Sequence, residues 1–202
     1  GIGRRQRQMC IRDRRWIDML AENADDHYRE LIEDVTYSPL MGKYLSHLQN
    51  SSQSSSGVPP DENYAREVMQ LFTIGLLELW DDGFVKLDQT EFNLLPTYTN
   101  NDIKELARVF TGMSWSTNSA NNTNWDTPSL DRTNPNSSWY GQGPGNLWYS
   151  SLYNYPMAFY NNRHDNGNKT IAGGKVISNN GSRRGRYTSE GDKDVRDVLN
   201  YL

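Results

Sequence analysis

Three polar residues in one short segment carry much of the chemistry that this sequence could support. The segment at 161–176, NNRHDNGNKTIAGGKV, places His164 beside Asp165, with Lys169 shortly after them. A His beside a carboxylate can act as a general base or as a metal ligand. Alternatively, Asp165 and Asn166 bond their own backbone in an Asx turn and His164 faces solvent. The residues alone leave both interpretations open.

A second group of polar residues lies on a predicted helix at 61–75. Asp61 is a good N-cap, and Gly75 stands where a left-handed residue would end the helix. The apolar stripe consists of Tyr64, Val68, Leu71 and Phe72. The polar stripe beside it consists of Asn63, Arg66, Glu67 and Gln70. This polar stripe is either a solvated face or a buried network, because Arg and carboxylates are buried only when paired.

A third group lies on a predicted helix that starts at Thr99 and stops at Gly112. Thr99 and Asp102 have the spacing of a capping box. The predicted apolar face contains Ile103, Leu106, Ala107 and Phe110. Two helices packed along their apolar stripes bring flanking charges together, so we expect a salt bridge between Glu67 and Arg108.

The candidate catalytic residues are therefore Arg66, Glu67, Arg108, His164, Asp165 and Lys169. Carboxylates and His164 could converge on a metal ion, but their spacing does not support such a site, so no metal and no cofactor is predicted. The sequence contains no GxSxG, HExxH, P-loop or dinucleotide fingerprint. No nucleophile–base pair can be identified from the sequence.

An aromatic tract at 138–160 is the main candidate for ligand binding. Its strongest candidates are Trp139, Trp148 and Tyr153. Flat rings stack on a ligand while the neighbouring Asn and Ser form hydrogen bonds, and polysaccharide is a reasonable ligand. The alternative is that these rings pack loops onto a helical core.

The N-terminal residues look like an artefact. Residues 4–14, RRQRQMCIRDR, match an in-frame translation of a transposase adapter used in sequencing libraries. We therefore exclude 1–14 from the fold rather than interpret it as a basic arm. This segment contains the only cysteine, Cys10, so a disulfide or thiolate site is not expected elsewhere.

Charge and hydropathy exclude several classes of protein. The formal net charge is −4, and residues 1–14 contribute five Arg and one Asp, so residues 15–202 carry −8. An acidic chain without a basic stripe is not expected to bind nucleic acid. No apolar run is long enough for a transmembrane helix, and no signal peptide is visible. A mean hydropathy of −0.84 is low for a large core.

The predicted fold is mainly α, with packed helices, a long irregular Asn/Ser/aromatic-rich loop region and a few short strands. Residues 15–202 are expected to form one helical domain that is incomplete at both ends. It would contain a Ser-rich linker at 50–57, a hairpin or loop around Asp82-Gly83 and a loop-rich insertion at 116–163. The expected core includes Leu31, Leu45, Leu71, Phe72, Leu106 and Phe110.

Three sequence blocks, at 61–76, 98–115 and 164–174, resemble the bacterial domain-of-unknown-function 1800 family, and 28–45 resembles the lead-in to the first. The resemblance implies a middle fragment of a longer protein, and the adapter-like segment at 4–14 implies that the gene was cut in an environmental (metagenomic) assembly. The resemblance also implies a helical protein that is extracytoplasmic, either periplasmic or secreted. The family has no agreed catalytic residue.

Two classes of function remain open. The first is a binding or accessory protein that acts on cell-envelope or extracellular material. The second is a hydrolase whose polar site is built from the three blocks. The first is favoured because no nucleophile–base pair is recognisable.

Overall fold

The computed structural model describes residues 13–115, 153, 155–178 and 189–202. The chain divides into two compact units. Unit 1 is drawn from Gly1–Gln49 and Met113–Tyr160, and unit 2 from Asn50–Gly112 and Asn161–Leu202. Each unit is built from two segments that are distant in sequence. Each unit also has buried apolar residues of its own.

The described part of unit 1 combines three helices with one two-stranded sheet. Its helices are α1 at 13–22, α2 at Tyr28–Tyr37 and α3 at Pro39–Tyr44. Strand β1 (Met113–Ser114) pairs antiparallel with β2 (Ala158–Phe159). The ring of Tyr37 packs edge-on against Phe159 at 6.1 Å, and the N–H of Met157 donates to the Tyr37 carbonyl at 2.7 Å. These contacts fasten the strand pair to helix α2.

Within its described residues, unit 2 contains four helices, a short π-helix, a 3₁₀ turn and a second small sheet. The elements are α4 (Gln53–Ser56), α5 (Asn63–Glu67), the π-helix Val68–Phe72, α6 (Asn100–Val109), β3 (Lys169–Ile171), the 3₁₀ turn Ala172–Gly174, β4 (Lys175–Ile177) and α7 (Glu190–Leu199). Strands β3 and β4 are antiparallel, with Thr170 opposite Val176. Among the described residues helices form most of the regular structure, and the strands are short.

Helix α6 agrees with its prediction at both ends and along its buried face. The N–H of Thr99 donates to the Asp102 carboxylate at 2.7 Å, and the Asp102 N–H donates to the Thr99 hydroxyl at 3.3 Å. The chain leaves the helix through Gly112, whose φ is +88°. All four predicted apolar residues are at most 1% exposed: Ile103, Leu106, Ala107 and Phe110. Local capping and periodicity were sufficient to define this helix.

The predicted helix at 61–75 differs in its second half. Helix α5 begins at Asn63, whose N–H donates to the Asp61 carboxylate at 2.8 Å, and Gly75 ends the segment with φ +73°. From Val68 the chain winds as a π-helix. The wider turn buries Met69 and leaves Leu71 68% exposed, so the predicted core position of Leu71 is wrong.

The other predicted core residues are buried to different degrees. Leu45 is buried, as are Leu106 and Phe110, whereas Leu31 and Phe72 are only partly buried.

The Ser-rich stretch at 50–57 contains a short helix and several local hydrogen bonds. The side chain of Asn50 donates to the Asp61 carbonyl and accepts from the Asp61 N–H, both at 3.0 Å. The Ser52 N–H donates to the Arg163 carbonyl at 2.8 Å. Side-chain hydroxyls then bond the backbone of the short helix α4, as Ser55 does to the Ser52 carbonyl. Hydroxyl-to-backbone bonds thus give local order to a composition that suggested flexibility.

Of the insertion predicted at 116–163, residues 116–152 and 154 lie outside the described residues. The same is true of residues 1–12 of the segment at 1–14. Among the described residues no helix has both the length and the apolar character needed to cross a bilayer.

Candidate functional site

Six ionisable side chains meet in unit 2 and form what we call the charged cluster. Helix α6 supplies Glu105 and Arg108, the loop before β3 supplies His164 and Asp165, β3 supplies Lys169, and helix α7 supplies Asp194. The cluster therefore joins the second and third sequence blocks to the C-terminal helix.

Arg108 links helix α6 to the loop that carries His164. Its guanidinium donates from Nε and Nη2 to both oxygens of Asp165, at 3.0 and 2.9 Å. A third nitrogen, Nη1, donates to Glu105 at 2.7 Å. Hydrogen bonding to Asp165 raises the pKa of Arg108 against the opposing effect of partial burial, and Glu105 adds to the rise. Arg108 is thus a permanent cation held by two carboxylates.

Asp165 forms the predicted Asx turn and also holds the end of helix α6. Its carboxylate accepts from the Gly167 N–H at 2.9 Å, and its own N–H donates to the Thr111 hydroxyl at 2.9 Å. Partial burial would raise the pKa of Asp165, but the bonds from Arg108 and Gly167 hold it below its ordinary value. A Cβ on Gly167 would lie 2.6 Å from the Arg108 Nη2, so a larger residue here would require the guanidinium to shift.

Lys169 and Asp194 are a fully buried ion pair. The Lys169 side chain is 0% exposed and that of Asp194 1%, and Nζ lies 2.6 Å from Oδ2. Lys169 also donates to the Asp165 carbonyl. Burial would raise the pKa of Asp194, but the hydrogen bond from His164 and the charge of Lys169 hold it below its ordinary value. The carboxylate is therefore ionised in the interior of the unit.

His164 is buried, so the interpretation that places it in solvent is wrong. Its Nδ1 lies 2.7 Å from the Thr111 carbonyl, and its Nε2 lies 3.2 Å from Asp194 Oδ2. Both nitrogens face acceptors, so neither presents a lone pair to a substrate or a metal ion. The close approach depends on Gly112, where a Cβ would meet the His164 backbone nitrogen at 2.9 Å.

Four of the six candidate catalytic residues come together in the charged cluster: Arg108, His164, Asp165 and Lys169. The other two do not. Arg66 pairs with Glu62 at 3.5 Å, and the expected salt bridge between Glu67 and Arg108 is absent from the described residues. Arg108 lies on the side of α6 that faces the loop at 164–167, which supplies a closer carboxylate.

Sequence analysis did not identify Asp194, although the sequence contains a signal for it. Asp194 stands four residues before Val198 and one before Val195, so it falls on the buried face of α7. A carboxylate on an apolar helical face requires a cation or a donor. Only the folded chain shows that Lys169 and His164 supply them.

The contacts within the cluster are those of a structural clasp, which ties helix α6, strand β3 and helix α7 together. Three carboxylates face Arg108, Lys169 and His164, and each group bonds another member or a neighbouring backbone group. Among the described residues no group of three or more His, Cys, Asp or Glu is placed to hold a metal ion.

A cavity of about 570 Å³ lies in unit 1 and includes one predicted ligand-binding residue, Tyr153. The described residues that line it are Trp16, Leu40, Met41, Lys43, Tyr44 and Tyr153. The Tyr153 ring packs edge-on against Trp115, at 5.1 Å and 77°, which fixes its orientation. We call this the aromatic cavity. The predicted binding residues Trp139 and Trp148 lie outside the described residues.

Comparison with known proteins agrees with the resemblance seen in the sequence blocks. The model of one family, described as a protein of unknown function (DUF1800), matches residues 4–202. That range includes 4–14, for which an adapter origin stays a prediction. Neither the curated proteins nor the solved structures gave a match. Because the family model covers almost the whole sequence, the chain belongs to the DUF1800 family of proteins of unknown function.

Proposed function

We propose that this chain is a binding or accessory protein, exported from a bacterial cell, that acts on polysaccharide of the cell envelope or the extracellular space. The observation that carries the proposal is the aromatic cavity of unit 1. Four parts of the proposal rest on the family resemblance. They are export, bacterial origin, a mainly α fold over the whole chain, and derivation from a longer family protein.

The aromatic cavity has the size and chemistry of a saccharide site. Its volume of about 570 Å³ falls within the range typical of small-ligand sites. Trp16, Tyr44 and Tyr153 offer flat apolar faces, and the phenols and the Lys43 amine offer polar contacts. Sugar rings have an apolar face and a polar edge, which such a mixture fits. Tyr44 is 77% exposed and so is accessible to a ligand.

The charged cluster supports a binding function less directly, because it offers little to a substrate. Lys169, His164 and Asp194 are buried and bond one another or the backbone. A general base must reach the proton that it removes, either directly or through one water. The buried groups of the cluster do not meet this requirement.

A hydrolase is the alternative, and one observation favours it. Arg108, His164, Asp165 and Lys169 come from separate sequence blocks and still converge in one cluster, as the residues of an active site do. The cluster lacks a hydroxyl or thiol nucleophile with an adjacent base among its members.

Titration of polysaccharides against the purified chain tests the proposal. The probes are a soluble neutral glucan, an acidic polysaccharide and fragmented peptidoglycan, each followed by isothermal calorimetry. Tyr44→Ala should weaken binding by about tenfold, since one stacked ring contributes on the order of 1 kcal/mol. Tyr44 is largely exposed, so the variant should keep its fold.

Tyr28→Ala is the matched control, because Tyr28 is also in unit 1, is 58% exposed and is not among the lining residues. Absence of binding, or equal losses in both variants, would contradict the proposal. Release of reducing sugar from the same polysaccharides, abolished by Asp194→Asn in a variant that stays folded, would establish the hydrolase instead.

A further inference from the structure

Residues 76–96 of unit 2, which we call the apolar arm, expose a dense group of large apolar side chains. Phe84 and Phe92 are each 74% exposed, and Trp80 is 59% exposed. Five further side chains are between 39% and 56% exposed: Leu76, Leu79, Val85, Leu87 and Leu94. A contiguous exposed apolar group on a soluble protein commonly marks an interaction surface.

The backbone of the apolar arm is closed, so a partner must bind its side chains. Three short segments pair with one another through the bridges Leu77 to Pro96, Leu79 to Val85 and Leu87 to Leu94. Backbone hydrogen bonds join the three segments. The N–H of Lys86 donates to the Glu78 carbonyl, the N–H of Leu95 to the Lys86 carbonyl, and the N–H of Glu78 to the Leu95 carbonyl. Each segment therefore pairs with the other two, and the arm offers no edge to an added strand.

The apolar arm is strongly acidic. It contains one cation, Lys86, which pairs with Glu78 at 3.4 Å and lies 5.1 Å above the Trp80 ring. Four carboxylates remain, on Asp81, Asp82, Asp88 and Glu91. None of the four has an ion-pair partner among the described residues. Exposed aromatic rings and unbalanced negative charge thus lie together within the same short segment of the chain.

A groove at the base of the arm adds depth to this surface. Its volume is about 310 Å³, and Ile74, Glu78 and Thr97 line it on the side of the arm. Ala172 and Tyr201 contribute to the opposite wall. The groove is large enough to take a bulky side chain of a partner.

We propose that the apolar arm docks a cationic amphipathic segment of another polypeptide. The apolar residues of that segment would cover Trp80, Phe84 and Phe92, and its Lys or Arg residues would pair with the four carboxylates. The negative charge of the arm favours a cationic segment over two other possible occupants. The arm of a second copy would bring like charges together, and an anionic lipid surface would be repelled.

A synthetic helical peptide of Leu and Lys, labelled for fluorescence anisotropy, tests this proposal. The chain should bind it in a salt-dependent manner and should not bind the matched peptide of Leu and Glu. Phe84→Ser with Phe92→Ser should weaken binding by about tenfold or more, because exposed aromatic residues at the centre of an interface dominate its affinity. Both rings are three-quarters exposed, so circular dichroism should show an unchanged fold.

The contribution of charge has its own matched control. Asp81→Asn with Asp82→Asn removes two carboxylates from the arm and should reduce both affinity and salt dependence. Asp25→Asn with Asp26→Asn changes the net charge equally on an exposed turn of unit 1 and should leave binding unchanged.

Three outcomes would overturn the proposal. They are equal binding of the Leu–Glu peptide, unchanged binding by the Phe84/Phe92 variant, and equal losses in the two Asp pairs. Stronger binding to phosphatidylglycerol vesicles, or arm-dependent dimerisation in sedimentation, would replace it with a membrane or a second copy as the occupant.

Discussion

Replacing Asp194 with Asn tests whether the charged cluster holds unit 2 together. The Lys169 and Asp194 side chains are 0% and 1% exposed, and their charged atoms lie 2.6 Å apart. Asn keeps the shape of the side chain but removes its charge, so the Lys169 ammonium is left without its carboxylate in the interior. Breaking a buried pair in this way costs about 3–5 kcal/mol. Urea unfolding followed by far-ultraviolet circular dichroism measures the loss.

Asp197→Asn provides a matched control on the same helix. Asp197 also lies 2.6 Å from a lysine, Lys193, but these side chains are 39% and 23% exposed. An exposed pair of this spacing contributes only about 0.3–0.5 kcal/mol. Distance is thus held constant while burial changes. If Asp194→Asn costs no more than Asp197→Asn, burial does not strengthen this pair and the clasp interpretation is wrong.

The double variant Asp194→Asn with Lys169→Met measures the coupling free energy between the two residues. Removing both charges leaves no uncompensated ion, so the double variant should cost less than the sum of the singles, by about 1–3 kcal/mol. A strictly additive result would show that the two residues stabilise the unit independently.

Two further predictions concern positions where backbone and burial constrain the chain. Gly112→Ala should lower the unfolding temperature clearly more than Gly57→Ala: both glycines have positive φ, but a Cβ on Gly112 would lie 2.9 Å from the His164 backbone, whereas nothing lies within 4 Å at Gly57. Equal losses would show that the contact with His164 relaxes. Burial lowers the pKa of His47 to about 4, despite its hydrogen bond with the Thr36 carbonyl, from the ordinary value of 6.5. As the pH falls, His47 is therefore protonated in the unfolded chain before it is protonated in the folded chain. Its contribution to the free energy of unfolding is full above pH 6.5 and is lost towards pH 4. The loss is about 2 kcal/mol at pH 5. His47→Gln should flatten this dependence in urea titrations; an unchanged slope would assign it to other groups.

Sequence patterns predicted most where the controlling interactions are local. The start, buried face and end of helix α6 follow from Thr99, Asp102 and Gly112, because a capping box and a left-handed glycine act over a few residues. The Asx turn at Asp165 was one of two interpretations that the sequence left open, and it too depends on contacts over a few residues. Membership of the family was also recognisable from short ordered blocks.

Patterns failed where the backbone left its regular period. The π-helix at Val68–Phe72 rotates Leu71 out to solvent and brings Met69 into the core. A period of 3.6 residues assumes an unbroken α-helix, so the same residues were assigned to the wrong side.

By itself, the sequence determined helix α6 with its caps and the acidic, cysteine-poor character of the chain beyond residue 14. Only the tertiary structure decided which charges meet. Arg108 binds Asp165 rather than Glu67, and Lys169 and His164 converge on Asp194, 25 and 30 residues away. The physical reason is desolvation: a buried ion is stable only beside its partner, and that partner is set by the packing of α6, β3 and α7 rather than by spacing along the chain.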